Sequence, residues 1–529
     1  MLRKRVARQK ESQLIPFFLI LILVTLSFVT SRSQIDYIYT PKLLLLLVIS
    51  LIFVLTNIRS LLTACNESLV LMTAVLILLI PFFLNFLKID SYIGEAFRAN
   101  GISNFPLFAA CLLLGAQIRT RSEIRLFQFI LTIFGLLVSL IIIIGVIIEI
   151  DATSIVAPLS NSNQSGGINE NFRSIFIAIC LLMHRSPLDI QSYKIRTLNW
   201  MSILIHLYAL LILDSQQSFL LLALAFIFYI FLKRNELQKY ILLIPLFVFI
   251  GYVLALNKFG FTKFGSSIQE RILIARKAIE YLANPEYLAA NPFAVSVLNF
   301  KKQTLTEDSK IEFWINDVHN AYLQFGLTAG FLFTIAYTVL ICFMFLKLSK
   351  IKTNEEVRQT MCIIAALQCV FLVTMLDLTF SPIYFVLFGM VLGRLNFAQI
   401  PKMVGHKFAA QLVKKSSNFA VIVLTAGLII STVVVIKQVS LDGKIFQEVR
   451  EFTYFSGSEL TAQQNSVIGK LEKSSNVYLI YEIGRRAYEA NDCPSLDSIS
   501  KILVQRSQNH FLSGKLLALS KACEVEVSP

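Results

Sequence analysis

The chain has 529 residues, of which 56% are hydrophobic and 15% are charged, and its mean hydropathy is +0.69. Soluble globular domains carry about 25% charged residues, so this composition excludes an ordinary soluble protein. The formal net charge is +15 at pH 7.

Apolar runs of roughly 15 to 25 residues recur along most of the chain, each close to the ~20 residues that a helix needs to cross the hydrocarbon core. The sequence therefore predicts an all-α, polytopic integral membrane protein with about 12–13 transmembrane helices. The first run is predicted to stay in the membrane, because no small-residue cleavage site follows Thr30. The thirteen predicted spans are 14–30, 43–56, 69–87, 102–117, 126–149, 171–183, 198–213, 219–232, 240–256, 321–346, 360–376, 381–395 and 419–436.

The distribution of Lys and Arg predicts the orientation of these spans. The N-terminal segment 1–13 is densely basic, and basic residues recur in every second loop after it. Because cytoplasmic loops hold the excess of Lys and Arg, we expect a multi-pass protein of a bacterial inner (plasma) membrane with a cytoplasmic N-terminus and a periplasmic C-terminus. The net charge then reflects this topology and contact with anionic membrane lipid, and a nucleic-acid partner is disfavoured.

Two long segments are predicted on the periplasmic side. Residues 257–320 form a loop within the transmembrane domain, 14–436, and residues 437–529 form a tail. From Asn476 onward, the apolar spacing of the tail predicts three short amphipathic helices. They form either a small helical cap on the membrane domain or a fragment of a helical repeat.

The chain has eight cysteines, six of them in or beside predicted spans, where they are interpreted as small apolar side chains. Cys493 and Cys523 are alone in the tail. Since the periplasm is oxidising, a disulfide between them is one expectation and two free thiols the other. Neither is assigned a catalytic role.

The long loop contains the sequence SSIQERILIARKAIEYLANP, whose apolar spacing predicts a helix along the membrane surface. Arg276 has Glu280 four residues later, so an ion pair within the helix explains it. Arg271 has no acidic residue three or four positions away. It is therefore a candidate for a bidentate contact to phosphate, the alternative being an arginine in contact with solvent or lipid.

Several familiar motifs are absent from the sequence. It has no GxxxxGK[ST] run, so ATP-driven transport by this chain alone is disfavoured. It has no HExxH, no cysteine cluster with zinc spacing and no Asp-x-Asp, the usual carboxylate clamp for a divalent metal. We expect a mechanism that uses neither metal nor cofactor.

Polar and charged residues collect at the predicted outer ends of the spans. Singly, each could be an interfacial residue in water, but a polar cavity open to the periplasm would explain the whole set. The set is Glu149, Asp151, Asn171, Arg173, Asp214, Arg271, His319 and Asp377.

His319 lies where the long loop meets the tenth span. A histidine with an ordinary pKa of about 6.5 accepts a proton near neutral pH, so His319 is a candidate general base. Asn320 either orients a substrate or caps the helix that follows, and Tyr322 and Gln324 begin the next turn. His206, in the middle of a span, is instead expected to be a neutral histidine hydrogen-bonded between helices.

The run HNAYLQ from His319 to Gln324, the glycine at 330 and the preceding arginine-bearing helix resemble the signature of the O-antigen ligase superfamily. That group includes O-antigen ligases, many O-antigen polymerases and bacterial protein O-oligosaccharyltransferases. GGINENFRSIFIAICLLM, with Asn171, resembles the asparagine motif that opens a middle span, and DSQQSFLLLALAF resembles the turn after the seventh span. The likeness covers roughly Asp151 to Asn396.

The resemblance implies a GT-C-like membrane fold that transfers a polyprenyl-diphosphate-linked glycan to a periplasmic acceptor. The acceptor is a lipid A-core sugar, another lipid-linked glycan or a protein, depending on the subclass. The resemblance assigns His319 as the general base and Arg271 as a contact to the leaving diphosphate, with Arg276 adding positive charge. Asn320, Tyr322 and Gln324 are supporting or acceptor-binding positions.

The chain departs from the family pattern at two positions. Where members usually have an arginine after the serine of the second motif, this chain has Gln216, so Arg173 replaces that charge or the grip on the diphosphate is altered. Where many members have a glutamate, it has Thr328.

The subclass stays open at this point. A ligase of the lipid A-core type needs little after its twelfth span, whereas a thirteenth span and a tail also fit a polymerase or a protein transferase. The alternative class is a polysaccharide or lipid transporter without catalysis, which would predict internal repeats and charges near the bilayer midplane.

Overall fold

A computed structural model describes most of the chain. The described residues are 2–28, 39–87, 101–147, 170–184, 192–233, 275, 278–280, 282, 320–348, 355–372, 374, 377–394, 406–451, 462–474, 476–506 and 511–527. They are helical with short turns, and no β-strand occurs among them. The predicted span at 240–256 lies outside these residues.

Thirteen described helices come before the tail helices, and the last of the thirteen extends into the tail. They are α1 (Leu2–Phe28), α2 (Tyr39–Glu67), α3 (Leu69–Asn85), α4 (Asn104–Gln117), α5 (Arg121–Ile147), α6 (Glu170–Leu182), α7 (Tyr193–Leu213), α8 (Gln216–Lys233), α9 (Ala321–Ala329), α10 (Phe331–Leu348), α11 (Glu355–Val370), α12 (Ser381–Leu392) and α13 (His406–Glu451). The tail adds α14 (Ala462–Leu471), α15 (Val477–Glu489), α16 (Cys493–Arg506) and α17 (Phe511–Val527).

Five of these helices, α2, α5, α7, α8 and α13, are long and apolar enough to cross a membrane. The outer ones expose large apolar side chains: Leu204 and Leu211 of α7 are 61% and 63% exposed. Such a surface is unfavourable in water and matches the hydrocarbon of a bilayer. The described chain is therefore an all-α protein with the surface of a membrane protein.

Several predicted spans correspond to shorter helices. The spans 102–117, 171–183 and 381–395 are represented by α4, α6 and α12, which have 14, 13 and 12 residues. In α4 and α12 nearly every residue is buried, so these two helices are surrounded by protein rather than by lipid. A helix in that position need not match the thickness of the bilayer, which is why hydropathy alone overestimates its length.

The single span predicted at 321–346 is broken into α9 and α10. The break falls at Gly330, whose φ of 94° lies in the region that favours glycine. Thr334 Oγ1 donates to the carbonyl oxygen of Gly330 at 3.4 Å, and the backbone amide of Thr334 donates to the same oxygen at 3.3 Å. An isolated glycine in an apolar run gives little sequence signal for such a break.

The centre of the membrane domain is the contact between α4 and α12. A Cβ atom added to Gly115 would overlap the carbonyl oxygen of Val386, and one added to Gly389 would overlap the carbonyl oxygen of Leu112. Gly393, four residues after Gly389, lies against Ala116 in the same way. This is the close backbone approach that a GxxxG spacing permits between helices in a membrane.

One end of the bundle carries ion pairs between helices, and we call it the basic end. Arg121 Nε donates to Glu356 at 2.7 Å, which joins the start of α5 to the start of α11. Arg119 pairs with Glu67 at 2.5 Å beside the end of α2, and Arg394 donates to the carbonyl oxygen of Ile118 at 3.2 Å beside the ends of α4 and α12. Thus α5 and α11 begin at the basic end, and α2, α4 and α12 end there; their other ends lie at the opposite end of the bundle.

The tail has a hydrophobic core of its own, separate from that of the membrane domain. The sequence predicts its first helix near Asn476; the structure adds α14 before that point and continues α13 into the tail as far as Glu451. Each tail helix packs against a neighbour and against the next but one, as helices do in stacked repeats. A disulfide joins Cys493 to Cys523, with 5.6 Å between the Cα atoms, and ties α16 to α17.

A buried carboxylate fixes the tail to α13. Asp442 accepts hydrogen bonds from Gln438 at 2.8 Å, from Ser474 at 2.8 Å and from Asn476 at 3.0 Å. Asn476 also caps α15, because its side-chain oxygen accepts from the amide of Leu479 at 3.1 Å. One polar cluster thus sets the position of α15 relative to the long helix.

Replacing Gly389 by alanine is expected to lower the stability of the membrane domain. The added Cβ forces α4 and α12 apart, and overpacking of this kind costs about 1–3 kcal/mol. The measurement is the unfolding temperature of the detergent-solubilised protein. Gly514→Ala is the matched control, since a Cβ there has nothing within 4 Å. Equal unfolding temperatures for Gly389→Ala and Gly514→Ala would contradict the prediction.

Replacing Cys493 and Cys523 by serine is expected to loosen the tail. The bond closes a loop of 30 residues, for which the chain-entropy estimate is about 3–4 kcal/mol. Limited proteolysis under non-reducing conditions should therefore cleave the tail at least ~10-fold faster in the double variant. Cys342→Ser, which removes an exposed free thiol, should leave the rate unchanged. A similar acceleration in both variants would refute the role assigned to the bond.

Candidate functional site

The beginning of α9 is held at the end of the bundle opposite the basic end. The amide of Ala321 donates to the carbonyl oxygen of Phe371 at 2.8 Å, and Asn320 Nδ2 donates to the carbonyl oxygen of Leu372 at 3.0 Å. Phe371 and Leu372 follow the last turn of α11, whose first turn carries Glu356 at the basic end. The start of α9 is therefore fixed at the far end of α11.

Asn320 is the N-cap of α9. Its side-chain oxygen accepts hydrogen bonds from the amides of Tyr322 and Leu323, both at 3.0 Å. The same side chain therefore satisfies two amides of α9 through its oxygen and reaches α11 through its nitrogen. Of the two roles considered from the sequence, the structure assigns Asn320 the capping role and adds the link to α11.

A buried polar cluster continues from α9 into the bundle. Tyr322 donates from its hydroxyl to Gln368 Oε1 at 2.7 Å, and Gln368 in turn donates to the hydroxyl of Tyr384. The hydroxyls of Tyr384 and Tyr337 lie 2.6 Å apart. Four helices, α9, α10, α11 and α12, meet at this cluster. Because an unpaired polar group is costly to bury, each hydroxyl needs a partner, and the cluster fixes how α9 sits against the other three.

Gln324 and Thr328 lie further along α9, and both are buried. Thr328 Oγ1 donates to the carbonyl oxygen of Gln324 at 2.8 Å. Thr328, which stands where many superfamily members have a glutamate, thus satisfies its hydroxyl on its own helix. Thr328 therefore supplies no charge at the last turn of α9.

Arg173 and Gln216 lie at the same end of the bundle as Asn320. The far end of α6 is fixed at the basic end, where Gln359 Nε2 donates to the carbonyl oxygen of His184 at 2.9 Å. Lys233, the last residue of α8, lies at the basic end too, because it lines the same cavity as Arg121 and Glu356. The first turns of α6 and α8 must therefore be at the opposite end. Arg173 is buried with 2% exposure, whereas Gln216 is exposed.

Arg173 belongs to the outermost turn of α6, but its burial distinguishes it from an interfacial arginine in water. Its side chain is almost completely inaccessible to solvent. A buried guanidinium in a membrane protein is expensive and typically marks a functional site or an ion pair. By contrast, Gln216 can contribute hydrogen bonds at the surface of this end but no charge.

Asp377 is a second buried charged residue at this end. It precedes α12, is fully buried, and accepts a hydrogen bond from the amide of Thr379 at 2.8 Å. Its carbonyl oxygen accepts from the amide of Ser381 at 3.0 Å and from the Ser381 hydroxyl. These bonds organise the turn into α12, which is a structural role for Asp377.

The predicted helix of the long loop packs on α9. Of that helix, Ala275, residues 278–280 and Leu282 are described, and all are helical. Ala278 is fully buried. A Cβ placed on Gly326 would come within 2.8 Å of Leu282 Cδ1, so Leu282 lies directly on the face of α9 where a glycine leaves room. The loop helix and α9 are therefore neighbours.

Some predicted site residues lie outside what the structure describes. They are His319, Arg271 and Arg276, and for Asn171 only the helical backbone is described. His319 directly precedes Asn320, and Arg276 directly follows Ala275, so each adjoins a described residue. Within the described ranges no group of three or more His, Cys, Asp or Glu side chains is arranged to hold a metal ion.

His206 differs from the expectation of a bond between helices. Its Nδ1 lies 2.6 Å from the carbonyl oxygen of Ser202, one turn earlier in α7, so the bond is within the helix. Its ring contacts the ring of His184 edge to face, with centroids 5.0 Å apart. In a helix, a histidine ring can reach the backbone carbonyl four residues earlier. The sequence does not reveal whether the ring bonds to that carbonyl or to another helix.

Of the tyrosine and glutamine cluster, Tyr322 is among the predicted site residues, whereas Gln368, Tyr337 and Tyr384 are not. One signal was present in the sequence: Gln368 is a polar residue in the middle of an apolar run, where polar side chains are costly. Tyr337 and Tyr384 gave no such signal, because tyrosine is common in membrane helices. Their convergence on Gln368 depends on how α10 and α12 cross α11.

Comparisons with protein-family models, with curated protein sequences and with solved structures gave no match to this chain.

Variants of Asn320 should separate its two contacts. Asn320→Ala removes the cap and the link to Leu372, and we expect a loss of about 0.5–2 kcal/mol from the cap alone. Asn320→Asp keeps an acceptor for the amides of α9 but loses the donor to α11, so its loss should be smaller. Unfolding temperatures in detergent give the comparison. If Asn320→Ala unfolds like the wild type, the start of α9 is held by other contacts.

Proposed function

We propose that this protein is a membrane glycosyltransferase that transfers a glycan from a polyprenyl diphosphate to a periplasmic acceptor, most simply as an O-antigen ligase of the lipid A-core type. The proposal includes a GT-C-like arrangement of the membrane helices. It also includes an inner-membrane orientation in which the basic end faces the cytoplasm and the end with Asn320 faces the periplasm. O-antigen or exopolysaccharide polymerisation and protein O-glycosylation use the same chemistry on other acceptors.

The contact of Leu282 with Gly326 is the observation that carries the proposal. It puts one residue of the loop segment predicted to be helical against α9. This supports the proposal that the predicted helix with Arg271 and Arg276 acts together with His319, which precedes α9 in the sequence. A base and a cationic group acting on one glycosyl diphosphate must come from such neighbouring elements.

The buried Arg173 supports the same reading. It lies at the end of the bundle that also holds the start of α9, and a guanidinium there is suited to a bidentate contact with phosphate. Since Gln216 supplies no charge where the superfamily usually has an arginine, Arg173 is the residue of the described chain that we assign to the second diphosphate contact.

The proposed reaction is a displacement at the anomeric carbon of the donor. His319 takes the proton of the acceptor hydroxyl, and the acceptor oxygen forms a bond to the anomeric carbon. The bond from that carbon to the diphosphate oxygen breaks, and its electron pair leaves with the polyprenyl diphosphate. Arg271, Arg276 and Arg173 stabilise the negative charge that develops on the leaving group. Asn320 and the Tyr322–Gln368 cluster fix the start of α9, the helix that follows His319 in the sequence.

We expect His319→Ala to abolish glycan transfer, because the acceptor hydroxyl loses its base. The test is a lipopolysaccharide gel from a strain that lacks the gene and carries either the wild type or a variant. Bare core in the deletion strain indicates a ligase, and core with one repeat unit indicates a polymerase. The wild type should restore the ladder and His319→Ala should not, and Arg271→Lys should restore it poorly, since lysine cannot make the bidentate contact.

His406→Ala is the matched control, because His406 begins α13 and is one of only five histidines in the chain. It should restore the ladder fully, and immunoblots should show equal amounts of all variants. A full ladder with His319→Ala would rule out the catalytic role of that residue. An unchanged ladder in the deletion strain would exclude lipopolysaccharide as the product and direct the search to glycoproteins and secreted polysaccharide.

A further inference from the structure

A cavity of about 930 Å³ lies at the basic end, far from the start of α9. Its walls come from α5, α8 and α11 and from the end of α6. This volume is within the range of roughly 300–1,000 Å³ that is typical of ligand sites. Nothing in the proposed glycosyl transfer uses it.

The charged groups of the cavity do not cancel. Its carboxylates each have a guanidinium partner: Glu356 pairs with Arg121 at 2.7 Å, and Glu355 pairs with Arg358 at 3.0 Å. Arg125 reaches Glu356 only at 3.7 Å, beside the closer Arg121. When Arg358, which pairs with Glu355 from outside the lining, is counted, two positive charges, Arg125 and one other, are in excess of the two carboxylates.

The other positive charge is Lys233, at the end of α8. Its Nζ lies 5.6 Å from the centre of the Tyr229 ring, and among the described residues it has no carboxylate within 4.0 Å. Burial lowers the pKa of His184, which disfavours a positive charge on that ring. The excess charge of the cavity thus suits an anion.

One wall of the cavity is apolar and ends at an exposed phenylalanine. Ala225 and Phe226 of α8 and Ile363 of α11 line it, and Phe226 is 64% exposed. On the same helix Ile227 is also exposed. A polar site at the level of the basic ends of the helices, continuous with an apolar surface that faces lipid, matches a molecule with an anionic head and a hydrocarbon tail.

We propose that this cavity binds an anionic phospholipid, with the headgroup phosphate between Arg125 and Lys233 and part of an acyl chain along the wall formed by Phe226. Basic pockets between membrane helices on the side of the positive loops are suited to such headgroups. The phosphate oxygens accept hydrogen bonds from both cations, and Gln128, which also lines the cavity, has a second amide hydrogen besides the one that it donates to Gln359.

The test uses the purified full-length chain in detergent and its unfolding temperature. Phosphatidylglycerol should raise that temperature by about 2–4 °C, whereas phosphatidylcholine with the same acyl chains should not. The double variant Arg125→Gln, Lys233→Gln should lose the shift. Lys233→Arg should retain it, because the charge is kept, and this variant also guards against a general effect of substitution on folding.

Arg59→Gln is the matched control, since Arg59 is an exposed cation of α2, a helix that does not line the cavity. It should respond to phosphatidylglycerol like the wild type. The proposal fails if phosphatidylcholine gives the same shift, if the double variant keeps the shift, or if Arg59→Gln loses it. Inorganic phosphate that reproduces the shift would overturn the assignment to a lipid. Since the readout is lipid binding, failure here is separate from failure of the proposed glycosyl transfer.

Discussion

The rest of the membrane domain depends on the backbone contact between α4 and α12. Gly115 and Gly389 let each helix touch a carbonyl group of the other, and no side chain fits between them. In lipid there is little hydrophobic force to bring two apolar helices together, so close van der Waals packing between small residues has to supply it. Around this pair, α2 and α3 pack on α4, and α11 packs on α12. The end of α11 in turn holds the start of α9, so the candidate site is indirectly supported by two glycines.

The cost of burying an unpaired polar group explains why Gln368 and Asn320 belong to connected hydrogen-bond sets. Gln368 has one oxygen and one amide nitrogen, and it uses them on Tyr322 and Tyr384, which removes the need for a solvent partner. Asn320 likewise uses both ends of its amide: its oxygen accepts from its own helix, and its nitrogen donates to the chain that follows α11. These residues gain little net stability from each bond but lose much if one partner is removed, so they specify a single arrangement of four helices.

Most of the fold class was predictable from the sequence, because the apolar runs and the small number of charges follow directly from the bilayer as solvent. Helix lengths were less predictable: α4 and α12 are short because protein surrounds them, and Gly330 divides one apolar run into two helices. At the site, the capping role of Asn320 was anticipated by its position before an apolar run. The cluster around Gln368 and the burial of Arg173 were not, because both depend on how helices distant in sequence cross. The positions of His319, Arg271 and Arg276 remain predictions.

The length of α13 has a mechanical consequence. With 46 residues, this helix is roughly 69 Å long at about 1.5 Å per residue, more than twice the ~30 Å of a hydrocarbon core. It packs on α2 and α3 in one part, and in another it carries Asp442, whose three hydrogen bonds fasten the tail to it. No loop intervenes between these two parts. Because the helix is continuous, a partner that tilts the tail also tilts the part of α13 that packs on α2 and α3. Those two helices pack on α4, so the tilt reaches the α4–α12 contact.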